Sequence, residues 1–158
     1  MKNFMHILFI LVAFTLSSST IAATSASESV TVINPYVRAV PPGQTVSAAF
    51  MQLENTSGTM HSIVNATSPV SKAVELHTHI NVQGVMKMRR VEKMDIPANG
   101  KTVLKPGGLH IMLIDLHEKL KLDQKVSVTL EFEDGSRQKI EAPVRKIMMK
   151  GMMKNIKH

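Results

Sequence analysis

The chain has 158 residues, 44% of them apolar, a net charge of +7, no cysteine, no tryptophan and 12 methionines. That apolar share can build a buried core and excludes a disordered or low-complexity chain. The missing cysteine excludes disulfides, cysteine zinc sites, CxxC redox chemistry, a cysteine nucleophile and a lipid-bearing cysteine.

In chain order, residues 1–23 read as a secretory signal. Lys2 precedes an apolar run over 7–14 that is too short to span a bilayer. Small residues follow, with Ala22, Ala23 and Ala26 as cleavage positions. The expected organisation is a signal peptide over 1–23, one domain over 24–143 and a basic tail over 144–158. An exported chain of about 135 residues without disulfides has to be held by burial alone, which is feasible at that length. Its core is expected to be aliphatic, with Tyr36, Phe50 and Phe132 as its only aromatics.

The predicted elements are strands. Residues 29–34 and 46–54 are β-rich and bounded by Pro41-Pro42-Gly43 and Thr56-Ser57-Gly58. Residues 62–66, 73–80, 85–91, 101–105 and 109–116 follow. Residues 125–133 alternate apolar and polar without a fault, Asp134-Gly135 reads as a two-residue hairpin turn, and 137–142 is the returning strand. No helix of ten or more residues is expected before Pro143. Short strands at regular spacing predict an all-β sandwich or barrel.

Three Met/His clusters stand out. His77-Thr78-His79 and Met86-Lys87-Met88 flank Asn81-Val82-Gln83-Gly84. A turn centred between Val82 and Gln83 sets His77 opposite Met88 and His79 opposite Met86, all four on one face of a ribbon. In His110-Ile111-Met112, Leu109, Ile111 and Leu113 take the core face, leaving His110 and Met112 together on the other. Imidazole with thioether suits soft Cu(I), whereas zinc favours cysteine, further histidine or carboxylate, and calcium and magnesium favour oxygen. Taken singly, each methionine is more often a core filler than a ligand. Three such pairs, each on one face, carry the metal reading.

The tail has two readings. Met148, Met149, Met152 and Met153 share a side if the segment is helical, with Lys146, Lys150, Lys154 and Lys157 nearby, as in a basic amphipathic piece that meets anionic lipid. The other reading is a copper-gathering arm that ends in His158. Enzyme readings are poor: there is no metalloprotease motif, no phosphate loop and no Ser-His-Asp motif. Aromatics are too few for a nucleic-acid stacking platform.

The spacing resembles the PCuAC family of periplasmic copper chaperones. Its signature is a histidine, ten residues, a methionine, twenty-one residues, then His-x-Met. Here His77 and Met88 enclose ten residues, Met88 and His110 enclose twenty-one, and Met112 completes the motif. Val74-Glu75-Leu76-His77, Gly84 to Arg89, Ile96-Pro97-Ala98 with Gly100, and Leu104-Lys105-Pro106-Gly107-Gly108 are also similar to the family, as are Val37-Arg38-Ala39 and Ala48-Ala49-Phe50-Met51. The likeness covers residues 30–116. It implies a cupredoxin-like Greek-key β-sandwich and one tight Cu(I) site made by His77, Met88, His110 and Met112. It also implies delivery toward the CuA subunit of cytochrome c oxidase, with or through Sco-type copper proteins. His79 and Met86 lie outside the signature and read as supporting groups or alternative ligands. His61 stands where the family often has an acid. The other functions weighed are copper or silver storage and a metal-free interaction module.

Overall fold

The structure is a computed structural model, and it describes residues 24–147. The signal-peptide segment and Met148, Met149, Met152, Met153 and His158 lie outside the described residues. The expected all-β fold forms. After a four-residue helical turn, α1 (Ala26–Ser29), come ten strands: β1 (Val30–Arg38), β2 (Ser47–Asn55), β3 (His61–Thr67), β4 (Ser71–Val82), β5 (Val85–Arg90), β6 (Met94–Ile96), β7 (Gly100–Leu104), β8 (His110–Leu116), β9 (Lys125–Phe132) and β10 (Arg137–Arg145). Among the described residues, no helix is long and apolar enough to cross a membrane.

One sheet runs β5-β4-β8-β2-β1, with β7 beside the far half of β2; the other runs β10-β9-β3-β6. β10 joins them. Residues 137–143 pair with β9, and Val144 and Arg145 then pair in parallel with Val37 and Arg38 of β1. Those two residues, read from sequence as the start of the tail, are therefore part of the sheet, and Ile147 follows directly. Leu53, Leu76, Ile111 and Leu113 from the first sheet and Ile63, Val128, Leu130 and Phe132 from the second meet in a single dry core. Ile111 and Leu113 face inward while His110 and Met112 face out, as the alternation requires.

The two hairpins and the end of β1 need correction, and β6 was not expected. The turn of the β4–β5 hairpin is Gln83-Gly84, both with positive φ (52° and 84°), the left-handed pair of a tight two-residue turn. Asn81 Oδ1 accepts the Gly84 amide at 2.7 Å. The register is thus displaced by two residues from the expected one: His79 faces Met88, His77 faces Arg90, and Asn81 faces Met86. A two-residue displacement keeps every side chain on its face, so the ribbon still presents His77, His79, Met86 and Met88 on one side. The second hairpin turns through three residues, because Phe132 pairs with Ser136 and Gly135 (φ 79°) takes the left-handed position. Glu133 belongs to that loop and not to the strand. Finally, β6 is too short to show a period in sequence. β1 continues past Asn34-Pro35 through an irregularity at Asn34, whose φ is 49°.

The core is aliphatic, with Phe132 as its aromatic. Phe50 and Tyr36 pack on the opposite face of the first sheet, ring centres 5.2 Å apart. They cover the outer side of β1 and β2 beside β8, which is where the histidines gather.

Candidate metal centre

β4, β8 and β2 are adjacent, and their registers bring the site together. His77 pairs with His110, Glu75 with Met112, and Ala48 with Met112 on the other side. One outer face therefore carries His77, His79, His110 and Met112, with Met88 added by β5. His110 lies 5.9 Å from His77 and 5.1 Å from His79, centre to centre, and 6.3 Å from the Phe50 ring. Two imidazoles that share one ion at a bond length of ~2 Å hold their ring centres roughly 5–6 Å apart, so both neighbours of His110 are within range.

The hydrogen bonds set which nitrogen is available. His110 Nδ1 donates to the Gly108 carbonyl at 2.9 Å, and its Nε2 is buried with no partner. His77 Nε2 donates to Glu75 Oε2 at 2.8 Å, and its Nδ1 is likewise buried and unpartnered. Buried polar atoms are nearly always paired, so two orphaned lone pairs on facing imidazoles require an explanation. A backbone carbonyl or a carboxylate holding the far nitrogen is the arrangement that orients a metal-binding histidine. Arg90 Nη1 also reaches Glu75 Oε1 at 3.4 Å.

Electrostatics agree. Burial holds the His110 imidazole below the ordinary histidine value. The Gly108 bond opposes that shift, and His79, His77 and Arg38 add to it. His110 thus keeps its lone pair to lower pH than an ordinary histidine. The hydrogen bond from His77 draws the Glu75 carboxyl below its usual value, with Arg90 helping.

A cavity of about 600 Å³ opens beside these rings, walled by Phe50, His79, Met88, His110, Met112 and Ile147 among others. Met88 is 48% exposed, while His110 is only 2% exposed. The surface is apolar and sulfur-rich with buried nitrogen beneath it. Among the described residues, no three His, Asp or Glu side chains are arranged to hold a metal between them, so thioethers have to complete any such site.

The four signature residues thus converge on one face, with one difference from the sequence reading. His79, and not His77, shares the cavity wall with Met88, His110 and Met112. Met86 opposes Asn81 and is 54% exposed at the hairpin end, away from that wall. Sequence reasoning also missed the roles of Glu75 and Gly108. Glu75 stands two residues before His77 and so on its face, which was a usable signal; the Gly108 carbonyl left none.

Among the described residues, His61 is the other buried histidine. Its Nδ1 meets Glu133 Oε1 at 2.7 Å and its Nε2 meets Ser57 Oγ at 3.2 Å. Ser57-His61-Glu133 has the order of a hydrolytic triad, which the sequence did not reveal. The hydroxyl, however, also meets Asn55 Oδ1 at 2.8 Å and the Thr59 carbonyl at 3.0 Å, and the group shares no residue with the cavity. It pins the 133–135 loop to β3, where Glu133 also accepts the Ser62 amide.

The family model described as "Putative lipoprotein LpqE-like" matches residues 30–144. Among related sequences, "Putative lipoprotein Lxx21020" of Leifsonia xyli subsp. xyli is 37% identical over 120 residues, which is 75% of this chain and 71% of that protein. "Uncharacterized protein RP573" of Rickettsia prowazekii is 33% identical over 99 residues, 62% of this chain and 55% of that protein. Among solved structures, the solution structure of CuI-DR1885 from Deinococcus radiodurans is 34% identical with a TM-score of 0.62, covering 74% of this chain and 80% of its own. The copper-bound PCuAC domain from PmoF2 superposes with a TM-score of 0.65 over 78% of this chain and 97% of its own, at 20% identity, and bears on the fold alone. On this evidence the chain belongs to the LpqE-like family and has the cupredoxin-like β-sandwich fold of PCuAC domains.

Proposed function

We propose that the protein is a periplasmic carrier of Cu(I), bound at one tight site by His77, Met88, His110 and Met112. The observation that carries this is the pair of buried, unpartnered nitrogens, His77 Nδ1 and His110 Nε2, each with its other nitrogen held by an acceptor. Thioethers from Met88 and Met112 stand on the same face, and that donor set fits a soft monovalent ion. DR1885, a relative in sequence as well as fold, has been solved with Cu(I).

The ion is cargo. The sulfurs lie toward solvent and exchange by ligand substitution, and nothing has to be oxidised for the ion to leave. A thioether has no proton to lose, so binding depends on pH only through the imidazoles. The partner is the CuA subunit of cytochrome c oxidase, directly or through Sco-type proteins, and the protein is not an enzyme. Residues 1–23 act as the export signal, consistent with the lipoprotein names of its relatives. Residues 24–143, with Val144 and Arg145 completing the sheet, form the copper domain. The tail beyond Arg145, read from sequence as 144–158 and carrying Met148, Met149, Met152, Met153 and His158, adds a weaker copper site and transient contact with anionic membrane surface.

Titration with Cu(I) against a competing chelator tests the binding; one tight equivalent is expected, and none would leave a metal-free module. Incubation of the loaded protein with an apo CuA domain tests the destination. Transfer supports delivery, and failure to metallate that domain assigns the protein to copper or silver storage.

A further inference from the structure

His79 is outside the signature spacing, yet the structure gives it the better access to the cavity. It faces Met88 directly across the β4–β5 ladder, and it forms the cavity wall with Met88, His110 and Met112 while His77 does not. Its ring centre is 5.1 Å from that of His110, against 5.9 Å for His77. The two β4 histidines differ most in how they are held. His77 is anchored through Nε2 by Glu75 at 2.8 Å, with Nδ1 buried. His79 has only a 3.5 Å approach of Nδ1 to the Gly108 carbonyl, an acceptor that His110 already occupies at 2.9 Å. A contact that long holds a ring weakly.

We propose that His79 is the exchange ligand of the site: Cu(I) enters and leaves through His79 and Met88 at the open cavity and passes to His77 on the anchored side. This rests on the Cu(I)-carrier reading above. In the step, a bond from copper to a His79 nitrogen forms as the bond to His77 Nδ1 breaks. His110 and the thioethers remain attached, copper stays monovalent, and no proton moves because both imidazoles use lone pairs. Such a ligand lowers the barrier in both directions alike, so it changes rates and leaves the equilibrium almost where it was.

The test uses the full mature chain loaded with one Cu(I). A colorimetric Cu(I) chelator reads the equilibrium affinity by competition and the release rate by stopped flow. For His79→Ala the expected result is an affinity within about threefold of wild type and release slowed by about tenfold, equivalent to ~1.4 kcal/mol of barrier. His77→Ala is expected to lose at least about 100-fold in affinity, more than loss of a supporting partner costs. His79→Gln, which keeps a polar side chain on the ribbon, should release slowly too, and circular dichroism checks that both variants fold. If His79→Ala loses affinity as His77→Ala does, His79 is a resident ligand and the proposal fails. If its release rate equals wild type, His79 is a bystander and the proposal fails. A wild-type protein that takes up no Cu(I) would refute the carrier reading and this inference with it.

Discussion

His61 and His110 are equally deep in the protein, 7% and 2% exposed, and they do opposite things. His61 has both ring nitrogens engaged, by Glu133 and Ser57, and ties a hairpin loop to its neighbouring strand. His110 has one nitrogen held by Gly108 and the other orphaned beside an equally orphaned His77. Burial therefore does not separate the two histidines; the unpartnered nitrogen does, and it is what the proposed copper site uses. Around His61 the satisfied atoms belong to carboxylate, hydroxyl and carbonyl groups. Around His110 stand Phe50, Met88 and Met112, which offer no donor to a nitrogen lone pair, and His77, His79 and Arg38, none of which hydrogen-bonds its Nε2.

The sharpest way to break this contrast is to remove one histidine from each side. His110→Ala or Met112→Ala is expected to weaken Cu(I) binding by at least about 100-fold, more than loss of a supporting partner costs. The far-ultraviolet dichroism should be unchanged, because both residues lie on the face of β8 opposite the dry core. Loss of fold would make them core residues. His61→Ala is expected to do the reverse, leaving Cu(I) affinity intact while lowering stability by about 1–2 kcal/mol in urea unfolding. The value sits at the low end for a broken buried hydrogen bond because Glu133 is 36% exposed and regains water. A His61 variant with impaired copper binding would erase the distinction.

Smaller changes refine it. Glu75→Gln keeps an acceptor near His77 but removes the charge, and should cost about tenfold in Cu(I) affinity, the low end for a group that orients a ligand. An unchanged affinity would mean that Glu75 does not orient the ring. The metal-free protein should also lose stability as pH falls below 6.5, the unshifted histidine value. His110 titrates lower in the folded state, so the unfolded chain takes up its proton first and stability declines until the folded value is passed. Urea midpoints between pH 7.5 and 5.5 would reveal this slope, and His110→Gln should reduce it. Least affected should be Met86→Ala, with Cu(I) affinity within about twofold of wild type, since Met86 faces Asn81 away from the cavity wall. Met88→Ala should weaken binding clearly, and equal losses for the two would mean the wrong sulfur has been chosen.

Much of this was legible beforehand because β-sheet alternation is strict. His110 and Met112 could be put on one face, opposite Ile111, from their order alone. The face of each residue in the β4–β5 hairpin was also readable, but its partner was not. Asn81-Val82-Gln83-Gly84 allows two registers that differ by two residues, and the choice depends on whether Gln83 accepts a left-handed backbone. That choice moved Met88 from His77 to His79. The Asp134-Gly135 turn went the same way: one residue more in the loop carried Glu133 out of the strand and onto His61. Of the three aromatics expected in the core only Phe132 lies there; half-buried Tyr36 and buried Phe50 serve the outer face, which the sequence did not show. The unpartnered nitrogens were out of reach of sequence altogether, since they depend on which carbonyl happens to stand beside each ring.

The most direct measurement is copper K-edge X-ray absorption on the protein loaded with one Cu(I). The proposed site predicts a mixed first shell, two sulfur and two nitrogen scatterers, that loses nitrogen in His110→Ala and sulfur in Met112→Ala. A shell of nitrogen and oxygen alone, or one unaltered by both substitutions, would contradict it.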